Sequence, residues 1–275
     1  MIRNFIFVIC LSTVSVAGQN SSPTAGSTQP QPPSSSPQDP NAVKARQLLD
    51  QMIQALGGRA YLSYQTVEQE GRLYGFSHGR PQGVGAPFWR FWRWSDKERI
   101  ELTKQRDIIQ IYDGDKGWEV TFRGTRPLPP DQLTDYLLRR EYSLERILRE
   151  WINEPGVILF YAGARVAEQK PADEVTISNT KGQSATIFID STSHLPIKKT
   201  FVHRDPQFND RDTEAEIWDG YRNAGGVTTP FNYTRTHNDE IVVQRFLTRV
   251  TFNVPVPDSL FVPSKPLVEE KRKKK

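Results

Sequence analysis

The chain is 275 residues long and carries 36 Lys and Arg against 32 Asp and Glu, a formal net charge of +4. Arg3 and the run Lys271-Arg272-Lys273-Lys274-Lys275 supply six of the 36, which leaves 30 basic against 32 acidic residues elsewhere. The excess therefore belongs to the ends and does not argue for nucleic acid, and a single cysteine, Cys10, excludes a disulfide framework.

Arg3 followed by the apolar run Phe5 to Val16 reads as a secretory signal peptide over residues 1–18. Ser15-Val16-Ala17 or Val16-Ala17-Gly18 offers the cleavage site. The run is short for a membrane span, which is the alternative reading. Residues 19–40 are Ser, Pro, Gln and Thr with almost nothing to bury, and read as a disordered linker. Residues 41–264 are expected to form one domain, mainly β. Residues 265–275 read as a basic disordered tail, with contact to anionic lipid or wall polymer as the minority alternative.

Within the domain, Asn41 or Asp39 can cap a first helix. Ala45, Leu49, Met52, Ile53 and Leu56 recur at helical spacing, and Gly57-Gly58 stops it. Tyr64 to Phe76 reads as a strand, and 79–87 as a Gly/Pro loop. Phe88 to Trp94 is the most aromatic stretch, with Arg90 and Arg93 set among its rings. Two readings stand for it: a core strand with arginines at its rim, or an aromatic binding wall. Lys97 to Lys104 follows as a strand. Pro129-Pro130-Asp131 opens a helical region marked by Leu133, Leu137, Leu144, Ile147, Leu148, Trp151 and Ile152, with a break near Tyr142-Ser143. From Val157 the chain reads as a β meander with strands at 157–168, 173–178, 184–190, 197–204, 213–222, 229–237 and 241–252.

The hairpin Ile108 to Phe122 concentrates the question of function. Two β-rich runs flank Asp113-Gly114-Asp115-Lys116-Gly117, a strong turn signal. Ile109 and Ile111 share one face of the first strand, yet Ile108 and Tyr112 make the other face apolar too. Trp118, Val120 and Phe122 alternate on the second strand. A strand apolar on both faces is covered on both. The cover is protein alone, or protein on one side and a ligand on the other.

The chemistry of a metal or nucleophile site is missing from the pattern. His78, His194, His203 and His237 stand far apart with no ligand spacing, so no cofactor is expected. Asp205, Asp210, Asp212 and Glu214 form an acidic stretch that reads as a solvated turn rather than a calcium loop.

Several motifs, in order, resemble one family. They are Ala55-Leu56-Gly57-Gly58 at the helix end, Trp94 to Glu101 on a strand pair, and Tyr112-Asp113-Gly114 with Gly117-Trp118 in the hairpin. Asp219-Gly220-Tyr221-Arg222, Gly226 to Pro230, Val250 to Asn253 and Pro257 to Phe261 follow late in the chain. Together they resemble the outer-membrane lipoprotein-sorting (LolA-like) superfamily over most of residues 42–263. The resemblance implies an α+β, mainly β fold: a large curved antiparallel sheet forming an unclosed barrel, with helices covering its concave face. It also implies an apolar groove for lipid acyl chains or a lipoprotein, in the periplasm of a Gram-negative bacterium, served by an inner-membrane loading or outer-membrane receiving partner.

On that basis the groove is expected to be lined by Trp89, Phe91, Ile100, Leu102, Ile109, Ile111, Trp118, Val120 and Phe122 from the sheet. Leu133, Leu137 and Ile147 are expected from the helices. An ordinary core would draw on the same residues. The function expected is a non-catalytic lipid or lipoprotein carrier. The rivals are a scaffold of the same fold with a filled cavity, and an enzyme acting on envelope glycan or lipid.

Overall fold

In the computed structural model, residues 39–204 and 209–266 are described, so the expected signal peptide, nearly all of the linker and most of the tail lie outside them. The first helix, α1 (Pro40–Leu56), is capped by Asp39, whose carboxylate accepts the Asn41 N–H at 3.0 Å. Asn41 does something else: its side chain exchanges two 2.7 Å bonds with the backbone of Tyr161, which ties the helix to the sheet. Gly57 ends the helix at φ +121°, and a Cβ there would lie 2.3 Å from the Gly226 carbonyl oxygen. Only glycine fits that approach. A short helix, α2 (Arg59–Ser63), follows.

The strands come in two runs. The first holds β1 (Thr66–Ser77), β2 (Arg80–Pro81), β3 (Ala86–Arg93), β4 (Lys97–Leu102), β5 (Ile108–Asp113), β6 (Lys116–Thr121) and β7 (Gly124–Pro127). Two helices then intervene, α3 (Pro130–Glu141) and α4 (Leu144–Arg149), separated by Ser143, whose hydroxyl caps the second. The second run holds β8 (Ile158–Ala167), β9 (Lys170–Ser178), β10 (Ser184–Asp190), β11 (Pro196–Arg204), β12 (Arg211–Ala224), β13 (Val227–His237) and β14 (Glu240–Phe252). The seven strands expected of the meander are all present, with ends shifted by a few residues.

Among the described residues these fourteen strands make one antiparallel sheet, ordered β7-β6-β5-β4-β3-β1-β14-β13-β12-β11-β10-β9-β8, with β2 paired to β1 alone. The last strand returns beside the first, Val67 opposite Phe252. β7 and β8 are the two edges and do not pair, so the sheet is not closed into a barrel.

The two halves of the sheet are covered differently. Over β8 to β10, α1 inserts Ala45, Leu48, Leu49, Met52, Ile53 and Leu56, and α4 and the following turn add Ile147, Leu148, Trp151 and Ile152. These meet Val175, Ile177, Ala185, Ile187 and Ile189, and the half is filled. On β3 to β6, α3 crosses one face. Tyr136 stacks on Tyr112 with ring centroids 3.5 Å apart, and Leu133 and Leu137 pack around them. Gly117 makes room, since a Cβ there would come within 2.7 Å of Leu128.

The opposite face of the same strands is covered by the chain beyond β14. Val254, Val256, Leu260 and Phe261 lie on Ile109, Ile111, Trp118, Val120 and Phe91. Farther on, the Pro266 carbonyl accepts the Thr125 N–H at 3.0 Å, and the Thr125 hydroxyl donates to the Lys265 carbonyl at 2.7 Å. Protein therefore covers both faces of the β5–β6 hairpin.

Candidate functional site

Where the two covers leave off, the concave face encloses a cavity of about 330 Å³ between β1, β3, β4 and β12 to β14 on one side and α3 and α4 on the other. It sits at the low end of the ~300–1,000 Å³ of small-molecule sites. Strand register fixes which residues face it. Along β1 the inward positions Val67 and Gln69 stand opposite Trp92 and Arg90 of β3, and opposite Phe252 and Val250 of β14. Leu73, four residues on, stands opposite Arg245. With ~3.3 Å per strand residue, Val67 to Leu73 spans about 20 Å.

One wall is apolar: Leu56, Val67, Trp92, Leu144, Trp218, Val227, Leu247 and Phe252. At the Val67 end, Tyr61, Tyr64 and Trp92 are buried and meet edge to face. At the other end Leu73, Val243 and Arg245 are only half-buried, so the cavity is closed at one end and opens at the other.

The remaining lining is polar and largely self-paired. Arg90 donates to Glu98 at 2.6 Å and to Gln69 at 3.2 Å, and Glu98 also accepts the Tyr136 hydroxyl at 3.1 Å. Burial pushes the Glu98 carboxyl up, but the Arg90 charge and hydrogen bond outweigh it and hold the pKa below the usual carboxylate range. Burial likewise opposes the charge of Arg90, and Glu98 more than restores it. Glu216 repeats the pattern against burial, with Lys199 at 2.7 Å and the Tyr233 hydroxyl at 3.2 Å. Lys199 is fully buried and also donates to the Tyr142 carbonyl. Burial, with Glu216 beside it, pushes Tyr233 up to about 12.

The cavity brings together few of the expected groove residues. Of the sheet residues, Ile100 alone lines the cavity. Phe91, Ile109, Ile111, Trp118 and Val120 belong to the outer face and pack under the C-terminal segment, and Trp89, on the same face, lies under the Arg106 guanidinium at 3.9 Å. The reason is the two-residue period of a strand. Arg90 and Trp92 face inward, so Trp89 and Phe91 cannot. Phe122 is 78% exposed, just past the end of β6. Leu102 ends β4 half-buried, opposite Phe88 and Ile108, away from the cavity. Leu133 and Leu137 pack around the Tyr112–Tyr136 stack rather than on the wall, and Ile147 is fully buried core.

Sequence reasoning weighed the stretch holding Arg90 and Trp92 as a binding wall, and did not single out Tyr64, Gln69, Glu98, Glu216, Trp218, Tyr233 and Arg245. The available signal was alternation: Arg90 in step with Trp92 on one strand, and Glu98 in step with Ile100 on the next. The acidic stretch also resolves in part. Asp212 and Glu214 lie on β12, where Glu214 is buried and contacts His237 at 2.7 Å, while residues 205–208 lie outside the described residues. Among the described residues no three His, Cys, Asp or Glu side chains cluster as a metal site, and no helix is long and apolar enough to cross a membrane.

The same architecture occurs in solved structures. A DUF1329 family protein from Desulfovibrio piger matches with a TM-score of 0.53 at 12% identity, over 81% of this chain and 97% of that one. A domain from Vibrio parahaemolyticus named for outer-membrane lipoprotein sorting matches with a TM-score of 0.53 at 8% identity, over 79% and 97%. The chain has a LolA-like fold. A LolA superfamily protein from Nitrosomonas europaea is also similar, at 11% identity and a TM-score of 0.48 over 79% and 97%. No protein-family model matches the sequence, and no curated protein does. At these identities the likeness shows the LolA-like fold, which accords with the motif order read from the sequence, and leaves the cargo to the chemistry of the cavity.

Proposed function

We propose that this chain is an exported, non-catalytic binding and carrier protein for an amphiphilic lipid or the acyl chain of a lipoprotein. The observation that carries the reading is the cavity: about 330 Å³, bounded by sheet on one side and helices on the other, lined by a set of apolar side chains beside self-paired polar ones. Each CH₂ moved from water to such a wall gains about 0.8 kcal/mol, so even a partly enclosed chain is held firmly. The wall is also divided between rigid sheet and two short helices, and a shift of the helices would let the cargo leave.

Two further points favour binding over catalysis. Two of the cavity carboxylates, Glu98 and Glu216, have their pKa values lowered by Arg90 and Lys199, the reverse of the raised pKa a general acid needs at neutral pH. The neighbouring fold in Vibrio is named for lipoprotein sorting, which fits a carrier. Export rests on the leader proposed for residues 1–18, followed by a linker over 19–40 and the basic tail of 265–275. A loading or receiving partner at either membrane belongs to the same proposal. Mass spectrometry of organic extracts from protein purified out of a bacterial envelope tests it. One lipid class in near-stoichiometric amount is expected, and extracts free of lipid would count against the reading.

A further inference from the structure

We infer that the open end of the cavity recognises an anionic headgroup, a carboxylate or a phosphate, and that Arg245 is the residue that meets it. The inference rests on the carrier reading and adds the chemical class of the cargo.

The argument is one of charge accounting along the cavity. Five arginines line it: Arg90, Arg139, Arg140, Arg235 and Arg245. Arg90 is held by Glu98. Arg140 is held by Asp115, and Arg139 by Asp135. Arg235 shares Asp135 at 3.8 Å and reaches Glu214 at 3.6 Å. Arg245 has no carboxylate within 4.0 Å and no hydrogen-bond acceptor among the described residues. Its guanidinium instead lies 4.0 Å from the centroid of the Tyr233 ring, a contact that fixes the side chain while leaving its N–H groups unused. The carboxylates of the lining make their direct contacts elsewhere, although the Arg245 charge acts from a distance on Glu98 and Glu216. Glu98 and Glu216 take Arg90 and Lys199, and Glu145, at the closed end, accepts the Tyr64 hydroxyl at 2.9 Å.

Position makes this cation more than a surplus charge. Arg245 stands opposite Leu73 on β1 and Tyr233 on β13, at the half-buried end of the cavity. The buried aromatic end formed by Tyr61, Tyr64 and Trp92 lies about 20 Å away along β1, by the ~3.3 Å rise per residue. An amphiphile with its tail toward those rings would carry its headgroup to the Arg245 end. There the guanidinium offers a planar fork matched to two oxygens of a carboxylate or phosphate, in surroundings poorer in water than the surface. The neighbouring Arg139 and Arg235 are ion-paired to Asp135 and Glu214, which leaves Arg245 as the cavity arginine without an ion pair among the described residues.

The test compares dodecanoate, dodecyl phosphate and dodecan-1-ol, which share a tail and differ in the head, by titration calorimetry at neutral pH on the full chain. The wild type is expected to bind the two anions about tenfold tighter than the alcohol, the effect of one charge-assisted contact. In Arg245→Gln the preference should vanish with alcohol affinity unchanged, and in Arg245→Lys most of it should persist. A thermal midpoint within a degree or two of the wild type shows that the variant is folded. Tighter binding of dodecanoate or of dodecyl phosphate assigns the head within the class. Equal affinity for anions and alcohol in the wild type, or a preference that survives in Arg245→Gln, overturns the inference and leaves the carrier reading standing. Failure of all three to bind removes both.

Discussion

Phe261→Ala separates core from cargo wall on the outer face of the β5–β6 hairpin. Phe261 is 1% exposed and lies on Ile109, Ile111 and Val120, beyond the last strand. The guanidinium of Arg93 is 5.1 Å from its ring centroid and the Lys97 ammonium 5.9 Å. Truncating a buried Phe costs about 3–5 kcal/mol, and the two cation contacts place this site in the upper part of that range, near 4 kcal/mol. With a urea slope of about 3 kcal/mol/M, the midpoint should fall by a little over 1 M. Urea unfolding followed by near-ultraviolet circular dichroism reads this directly. Because the C-terminal segment covers the face away from the cavity, affinity for an acyl ligand should hold in conditions where the variant is folded. A loss below about 1 kcal/mol, or lost affinity at unchanged stability, would refute the assignment of this face as core.

Other outcomes follow from named contacts. Glu98→Gln removes the carboxylate beneath Arg90 and leaves a buried cation short of its partner, so stability at pH 7 should fall by about 3 kcal/mol. The folded pKa values of Glu98 and Glu216 lie below their unfolded ones, so their stabilisation is present above pH ~4.3 and is lost as pH falls through the folded values. Acid titration of Glu98→Gln should therefore be shallower than that of the wild type below that pH. Lys199→Met strands Glu216 and the Tyr142 carbonyl and should cost about 3 kcal/mol. Adding Glu216→Leu should recover much of the loss in chemical denaturation. Gly57→Ala, which would place a methyl 2.3 Å from the Gly226 oxygen at φ +121°, should cost more than ~1 kcal/mol in a thermal melt.

Much of the fold was legible because its signals are local. The helix ending at Gly57, the break at Ser143, the Asp-Gly hairpin and the seven late strands each carry a cap, a turn residue or a period-two alternation. The open edges and the helical cover came from the order of motifs rather than from any single one. The site was less legible, for a physical reason. Greasiness was taken as the mark of the groove wall, and the greasiest face of the hairpin, Ile109, Ile111, Trp118 and Val120, is buried under residues 254–261. That contact joins segments more than 130 residues apart, which periodicity cannot see. The face that lines the cavity mixes Trp92 and Ile100 with Arg90 and Glu98. Such residues look like a solvent face until the register shows them pairing across strands.

The central claim, that cargo occupies the inner cavity and not the hairpin's outer face, is tested most directly by tryptophan quenching with a bromine-labelled long-chain amphiphile. The chain has six tryptophans; Trp92 and Trp218 line the cavity and Trp118 lies on the outer face. Replacing Trp218 or Trp92 by Phe should lower the fraction of emission that the brominated chain quenches, while Trp118→Phe should leave the quenched part intact. Quenching that disappears with Trp118 and persists without Trp92 and Trp218, or no saturable quenching at all, would contradict the account.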